Sequence, residues 1–134
     1  MVSIETLQLA HGEITDKILR AFFTVHTRLG FGFSEVLYQR ALPIELAKST
    51  LRVEREVAFV ATYDDQPIGQ YRADLLVERC VLVEIKSVER LVDAHRNQVL
   101  NYLRVSGMPV GLLLNFGNTA QVRRVLLDGG ESTA

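Results

Sequence analysis

An apolar run that carries two charges occupies residues 81–88, with the sequence VLVEIKSV. Its density of branched apolar side chains is typical of a strand that is buried on both faces in the middle of a sheet. Side chains alternate along a strand, so Glu84 and Lys86 share one face, while Val83 and Ile85 point the other way. Because charged groups seldom stand on a buried strand without partners or a task, the chain must fold in a way that provides one or the other.

Helical and extended patterns surround this strand. Apolar residues spaced three and four apart predict a helix over residues 12–29, and Ser34 is positioned to cap a second helix that runs to about residue 49. Residues 64–69 (DDQPIG) are rich in turn formers, and further patterns predict a helix over residues 91–106 and strands over residues 53–63, 70–78, 110–115 and 120–127. These elements predict an α+β (α/β) fold with a mixed sheet of about five strands, flanked by helices. The helix between the third and fourth strands predicts that those two strands run parallel.

Length and composition limit the classes of protein to consider. A chain of 134 residues can bury one core, so we expect a single domain over residues 1–127 and a flexible polar tail over residues 128–134. Cys80 is the one cysteine, and neither a signal peptide nor a run of about twenty apolar residues is visible, so we expect a cytoplasmic protein without a membrane partner. The net charge of -1 excludes binding of nucleic acid by global charge and leaves a local basic surface or a bound cation.

Asp74 brings a second carboxylate close to the central strand. It lies in the preceding predicted strand, flanked by Ala73 and Leu75. A two-residue turn at residues 79–80 would place the carboxylates of Asp74 and Glu84 on opposite faces, whereas a three-residue loop at residues 78–80 pairs them on one face. A site that both carboxylates share therefore requires an odd number of loop residues, or one bulge.

Two carboxylates on one face repel each other unless a cation lies between them, and oxygen ligands favour Mg²⁺ or Mn²⁺. The carbonyl oxygen of Ile85 can complete such a ligand set. Lys86 can position a water molecule or neutralise negative charge that develops on a phosphate. Hydrolysis of a phosphodiester needs this combination. The alternative is a structural cluster in which the two carboxylates form salt bridges with Lys86 and Arg72.

The helix predicted over residues 91–106 carries a polar stripe. His95, Gln98 and Tyr102 are spaced three and four apart, so they lie on one side of the helix. A polar stripe where an apolar one is expected indicates that these side chains face a polar site. The alternative is an ordinary hydrated helix face with Tyr102 half buried.

Several motifs, in one order along the chain, resemble those of the PD-(D/E)XK nuclease superfamily. They are Asp74, the triplet Glu84-Ile85-Lys86, and the pair Gln98 and Tyr102. The segment GFSEVLY at residues 32–38 is further similar to the pattern that names the GxxExxY proteins, a branch of that superfamily. The resemblance covers about residues 11–127. It implies a restriction-endonuclease-like fold, in which a helix precedes a mixed sheet that carries the aspartate and the Glu-x-Lys triplet on adjacent strands.

The resemblance also implies a role for each residue. Asp74 and Glu84 would ligate the metal, and Lys86 would be the catalytic lysine. Glu35 would add an acidic group from the first helical region. Gln98 and Tyr102 would line the site from the following helix. Many superfamily members carry a proline before the aspartate, where this chain has alanine. Because that proline is not a ligand, its absence does not change the expected chemistry.

The glycines before Glu35 indicate a sharp turn between two helices. A phosphate cradle would need a strand before the glycine loop and a third glycine at the position of Glu35. The turn is expected to direct Glu35 and Tyr38 toward the face of the sheet from which Asp74 and Glu84 project. The alternative for Glu35 is a favourable charge at a helix N-terminus.

The sequence therefore predicts a Mg²⁺-dependent nuclease that hydrolyses phosphodiester bonds in nucleic acid, with DNA favoured over RNA. Two alternatives stay open. One is a binding module for nucleic acid or nucleotide with little or no activity. The other is an assembly subunit, in which an exposed apolar edge near residues 110–127 pairs two chains. A homodimer is also compatible with the nuclease, because a small nuclease often needs a second copy to cut both strands.

Overall fold

A computed structural model describes the backbone of residues 4–127 and 131–133, and the side-chain surroundings of residues 12–127. The elements in chain order are the helices α1 (Ile4–Leu29) and α2 (Glu35–Ala47), the strands β1 (Val53–Tyr63), β2 (Gln66–Val77) and β3 (Val81–Lys86), the helix α3 (Asp93–Ser106), and the strands β4 (Val110–Phe116), β5 (Ala120–Leu126) and β6 (Glu131–Thr133). No helix in this part of the chain is both long and apolar enough to cross a membrane.

The strands form one mixed sheet in the order β1-β2-β3-β4-β5-β6. Neighbouring strands are antiparallel except β3 and β4, which run parallel. Parallel neighbours need a crossover that returns the chain to the same end of the sheet, and α3 provides it. The parallel pair predicted from the sequence is therefore confirmed.

Helices cover both faces of the sheet. One core, which contains Val83 and Ile85, lies under α1 and α2, and a second core, which contains Leu82 and Leu113, lies under α3. Strand β3 is buried at its first five positions and β4 at all seven. Burial of this kind explains why both strands are almost continuously apolar. The architecture is the α+β, restriction-endonuclease-like mixed sheet with flanking helices that was expected.

Several element boundaries differ from the sequence prediction. Helix α1 begins at Ile4, so Gly12 lies inside it and does not mark its start. Strand β2 begins at Gln66, because the turn consists of Asp64 and Asp65 alone, with φ angles of 49° and 61°. Aspartate tolerates the positive φ that a two-residue hairpin turn requires. Residues 66–69 thus extend the strand, although their composition favours a turn.

The short strand β6 falls within the segment that was expected to be a flexible polar tail. It pairs antiparallel with β5, while residues 128–130 and 134 of that expectation lie outside the described residues. Because β6 pairs with β5 and every position of β4 is buried, these strands do not present the exposed apolar edge on which pairing of two chains was expected.

The loop between α1 and α2 contains Gly30 and Gly32, whose φ angles of 73° and 107° are open to glycine at little cost. Tyr38 is fully buried beneath this loop. Its hydroxyl group donates a hydrogen bond to the carbonyl oxygen of Gly30 at 2.6 Å and accepts one from the N–H of Phe33 at 3.3 Å. Its ring stacks on that of Phe116, with centroids 4.3 Å apart. Tyr38 faces the sheet, but it packs with Val83 and Ile85 on the face under α1 and α2. The expectation that it faces the side from which Glu84 projects was therefore wrong, because side chains alternate along β3. Its hydroxyl group holds the loop that leads into α2.

Ser34 stands immediately before α2, as predicted, but its side chain makes no capping hydrogen bond. The N–H of Leu37 instead donates to the backbone carbonyl of Ser34 at 3.1 Å. The start of α2 is therefore held by the main chain and by the hydroxyl group of Tyr38 rather than by a serine cap.

We expect Tyr38→Phe to lower the free energy of unfolding by about 1–2 kcal/mol, because it keeps the ring but leaves the partly buried carbonyl of Gly30 without its donor. Urea unfolding followed by circular dichroism measures this change. The matched control is Tyr63→Phe, which removes the hydroxyl group of a side chain that is 70% exposed. We expect that control to change stability by less than about 0.5 kcal/mol. Equal values for the two variants would show that the hydroxyl group of Tyr38 does not hold the loop.

Candidate active site

A three-residue loop, residues 78–80, connects β2 to β3 and sets their register. Val77 pairs with Val81 and Leu75 pairs with Val83. The same register, continued by one residue, places Asp74 opposite Glu84. The loop thus has the odd length that a site shared by the two carboxylates requires.

The carboxylates themselves join the two strands beyond the last regular pair. Oδ2 of Asp74 accepts a hydrogen bond from the N–H of Ile85 at 2.7 Å. Oε1 of Glu84 accepts one from the N–H of Asp74 at 3.1 Å. Each carboxylate is therefore bonded to the main chain of the opposite strand, and the two side chains meet between β2 and β3.

The pairing of β2 with β1 is also interrupted at Asp74. Arg55 pairs with Leu75 and Val57 pairs with Ala73, but Glu56, whose φ is 52°, makes no regular pair with Asp74. On β2, Ala73 belongs to the core under α3, whereas Leu75 belongs to the core under α1 and α2. Ala73 and Leu75 are two residues apart but point to opposite faces of the sheet, so the regular alternation of side chains is broken at Asp74. This break explains how the carboxylate of Asp74 reaches sideways toward β3.

Helix α2 contacts this site from its first turns. Nε2 of Gln39 donates a hydrogen bond to Oδ1 of Asp74 at 3.2 Å. The negative charge of Glu35, one helical turn before Gln39, raises the pKa of both Asp74 and Glu84. The structure thus brings Glu35 close to the carboxylates and adds Gln39, which the sequence analysis missed. Gln39 could have been found from its spacing, because it lies four residues after Glu35 and residues four apart lie on one face of a helix.

Burial dominates the electrostatics of the two carboxylates. It raises the pKa of Glu84 to about 8, with a further increase from the charges of Asp74 and Glu35 and an opposing effect from the N–H of Asp74 and from Lys86. Burial also raises the pKa of Asp74, against the hydrogen bond from Ile85. Water stabilises an ionised carboxylate better than this site does. With a pKa of about 8, the carboxyl group of Glu84 keeps its proton near neutral pH unless a cation takes the place of that proton.

Lys86 lies two residues after Glu84 on the same strand and is partly buried. Its positive charge lowers the pKa of both carboxyl groups. The ion pairs within 4.0 Å among the described residues all lie elsewhere and connect Glu45 and Glu54 with Arg28, Lys48, Arg52 and Arg79. The alternative of a salt-bridged cluster of the carboxylates with Lys86 and Arg72 is therefore not what these residues form.

Helix α3 places Tyr102 near the carboxylates, where the side chain is only 8% exposed. Burial, followed by the charges of Glu84 and Asp74, raises the pKa of Tyr102 to about 12, so the hydroxyl group keeps its proton at neutral pH. Nε2 of Gln98 donates a hydrogen bond to this hydroxyl oxygen at 3.0 Å. The third member of the polar stripe, His95, behaves differently.

His95 stands in the first turn of α3, where its Nδ1 accepts a hydrogen bond from the N–H of Val92 at 3.0 Å. This bond satisfies one backbone donor at the helix N-terminus. The stripe predicted from the spacing of His95, Gln98 and Tyr102 thus divides into a helix cap and a pair of side chains that interact with each other.

The donor atoms at this site fit a divalent cation such as Mg²⁺. Proteins usually hold Mg²⁺ by one or two carboxylates and leave the other positions to water and substrate phosphate. Asp74 and Glu84 provide two carboxyl groups whose ionised forms a cation would stabilise. Residues 12–127 contain no group of three or more His, Cys, Asp or Glu side chains arranged for a metal ion. A cation here would therefore rest on the two carboxylates and the carbonyl oxygen of Ile85, with water or substrate as further ligands.

Comparisons with known proteins concern the superfamily and the fold. Residues 12–125 match the family model of the PD-(D/E)XK nuclease superfamily. A solved structure described as "Crystal structure of SSO0001" matches with a TM-score of 0.55 at 17% sequence identity, over 86% of this chain and 58% of that chain. Such a likeness concerns the fold alone, and this chain spans little more than half the length of that structure. No curated protein matches the sequence.

The family match contains every position discussed above, from Glu35 on α2 through the carboxylates of β2 and β3 to Tyr102 on α3. Members of this superfamily typically use divalent metals. The mixed sheet, with an aspartate and a Glu-x-Lys triplet on adjacent antiparallel strands, agrees with that match. The chain belongs to the PD-(D/E)XK nuclease superfamily.

Proposed function

We propose that this protein is a nuclease of the GxxExxY branch, which hydrolyses phosphodiester bonds in DNA rather than RNA and depends on Mg²⁺ or Mn²⁺. The observation that carries the proposal is the pair of carboxyl groups of the buried Glu84 and the partly buried Asp74, with the charge of Lys86 acting on both. A site with two carboxyl groups close together and one nearby ammonium group is suited to bind a divalent cation and a phosphate together.

The residues of the GxxExxY pattern each have a task that supports the branch assignment. Gly32 adopts a φ of 107°, which favours glycine. Glu35 adds negative charge near the carboxylates. Tyr38 holds the loop from inside through its bond to Gly30. The pattern thus describes a turn that delivers an acidic side chain to the site.

Each residue of the site has its own role in the proposed reaction. A divalent cation held by Asp74, Glu84 and the carbonyl oxygen of Ile85 supplies Lewis acidity and a water of lowered pKa. Lys86 stabilises the negative charge that develops on the phosphate and orients the attacking water. The pair on α3 contributes a hydroxyl donor, because Tyr102 keeps its proton and Gln98 fixes its orientation.

Two residues of α2 act on the acidic side of the site. Gln39 orients the carboxylate of Asp74 through its hydrogen bond to Oδ1. Glu35 increases the negative charge that attracts the cation, which is the role of an extra acidic residue. Both side chains depend on the position of the first turn of α2, and this turn depends on the glycine loop.

Cation binding can be tested without measuring activity. We expect Mn²⁺ at 100 times its Kd to stabilise the wild-type protein by about 2.7 kcal/mol, because the ion binds the folded state alone. Asp74→Asn should lose most of this stabilisation, whereas Asp65→Asn at the exposed hairpin turn should keep it. Thermal unfolding with and without Mn²⁺ measures the shift in Tm. An equal shift in Asp74→Asn and the wild type would contradict the proposed metal site.

A further inference from the structure

We propose that a cleft beside the carboxylate site binds one unpaired nucleobase, so that the substrate is single-stranded DNA. This inference rests on the proposed nuclease function and adds the strand state of its substrate. The cleft has a volume of about 290 Å³, and its walls come from three segments: the glycine loop, the residues that follow β3, and the residues that follow β4.

The cleft lies beside the proposed active site along the chain, because its wall begins one residue after Lys86. It lies at the carboxyl ends of the parallel strands β3 and β4, where ligands commonly bind in sheets of this kind. Ser87, in its wall, follows Lys86 directly, and consecutive Cα atoms are about 3.8 Å apart. Oγ of Ser87 donates a hydrogen bond to the carbonyl oxygen of Phe33 at 3.0 Å, and Phe33 stands two residues before Glu35. A DNA strand that places a phosphate at Lys86 therefore has a neighbouring base within reach of this cleft.

The lining of the cleft matches the chemistry of a base. The side chains of Phe31 and Phe33 are 59% and 46% exposed, although phenylalanine is usually buried. Aromatic rings bind single-stranded nucleic acid by stacking on its bases, and each stacked base strengthens binding by about 5- to 100-fold. Glu89 and Asn118, both exposed at the same cleft, offer hydrogen-bond acceptors and an amide donor for the edge of a base.

A base within a duplex cannot use this cleft. Its faces are stacked on its neighbours and its pairing edge is occupied, so it must first be unstacked and unpaired at a cost. An unpaired base presents both its faces and its edge. The combination of exposed rings and rim polar groups next to Lys86 therefore favours single strands.

The walls of the cleft are held in place before any ligand binds. Asn115, which is fully buried, bonds to both the N–H and the carbonyl oxygen of Val88 at 2.9 Å. Nε2 of His26 donates a hydrogen bond to the carbonyl oxygen of Gly117 at 2.7 Å. Such a preformed cleft loses little conformational entropy when a ligand enters. His26 is thus a structural residue of α1 that fixes one wall.

The test is equilibrium binding of a fluorescent oligodeoxynucleotide, single-stranded or annealed to its complement, measured by anisotropy. EDTA replaces the divalent cation so that the strand stays uncut while Lys86 is kept. We expect the single strand to bind more tightly than the duplex, and Phe31→Ala to weaken single-strand binding about 5- to 100-fold without changing duplex binding. Phe23→Ala, at a side chain that is 45% exposed on α1 outside the cleft, is the matched control and should bind like the parent.

Thermal unfolding of each variant confirms that it is folded. Equal affinity for the two forms of DNA, or an equal effect of Phe31→Ala and Phe23→Ala, would overturn the inference. Its failure is distinct from failure of the proposed function. If Phe31→Ala has no effect on binding but the wild type cleaves DNA through Lys86, the cleft assignment is wrong and the nuclease stands. If the cleft binds single strands but the wild type does not cleave, the cleft stands and the nuclease is wrong.

Discussion

Lys86→Ala should reduce the rate of DNA cleavage about 100- to 1,000-fold. This magnitude is typical of the loss of one group that stabilises charge in the transition state. The ammonium group lies near two carboxylates whose pKa values it lowers, and no other cation of the described residues pairs with them. No neighbouring side chain can therefore replace its positive charge.

Cleavage of a labelled single-stranded oligodeoxynucleotide, with nicking of a supercoiled plasmid alongside it, measures this rate in the presence of Mg²⁺ or Mn²⁺. The matched control is Lys48→Ala, which removes an exposed lysine that pairs with Glu45 at 3.2 Å on α2. We expect this control to cleave like the wild type. Identical activity of Lys86→Ala and the wild type would show that the cleavage comes from another enzyme. A folded wild type that binds DNA and the cation but never cleaves would favour the alternative of a binding module.

Glu84→Gln should make the metal-free protein more stable at pH 8 by about 4 kcal/mol. Burial raises the pKa of Glu84 from 4.5 to about 8. A difference of one in the pKa between the folded and unfolded states changes the free energy of unfolding by about 1.4 kcal/mol. Because the folded pKa is raised, the wild type keeps its full stability below pH 4.5 and loses it as the pH rises toward 8. Glutamine has no charge to lose, and its amide oxygen can still accept the bond from the N–H of Asp74.

Urea unfolding in EDTA at several pH values between 5 and 8 measures this effect. The advantage of Glu84→Gln should be small at pH 5 and grow toward pH 8. Asp64→Asn, at an exposed carboxylate in the β1–β2 turn, should show no such trend. Addition of Mg²⁺ at pH 8 should stabilise the wild type and not Glu84→Gln, since the cation balances the charge. A constant difference between Glu84→Gln and the wild type across this pH range would contradict the raised pKa.

The free-energy cost of placing these carboxylates together explains why such a site is easy to recognise in the sequence. A protein selected for stability alone would not place Asp74 and Glu84 together on buried strands, because their charges repel and lose hydration. The presence of Glu84 in the apolar run of β3, and of Asp74 directly before the apolar end of β2, was therefore informative. Residues that contact these carboxylates from other elements, such as Gln39, are harder to recognise in the sequence. An amide side chain on a helix surface has no unusual free-energy cost, so nothing marks it as functional.

Patterns of short range along the chain were readable directly from the amino-acid order. The apolar run over residues 81–88 predicted a central strand, the intervening helix predicted the parallel partner, and the Glu-x-Lys spacing predicted that Glu84 and Lys86 share a face. These predictions hold because alternation, helical spacing and crossover connections depend only on local covalent geometry.

Only the tertiary structure decided how distant elements meet. The length of the β2–β3 loop, the interrupted ladder at Asp74, the approach of Gln39 and the separation of His95 from Gln98 and Tyr102 all depend on packing between elements. A change of one residue in register moves a side chain to the other face of a sheet, and local composition does not report that register. The same holds for the cleft at Phe31, whose walls come from three segments that are far apart along the chain.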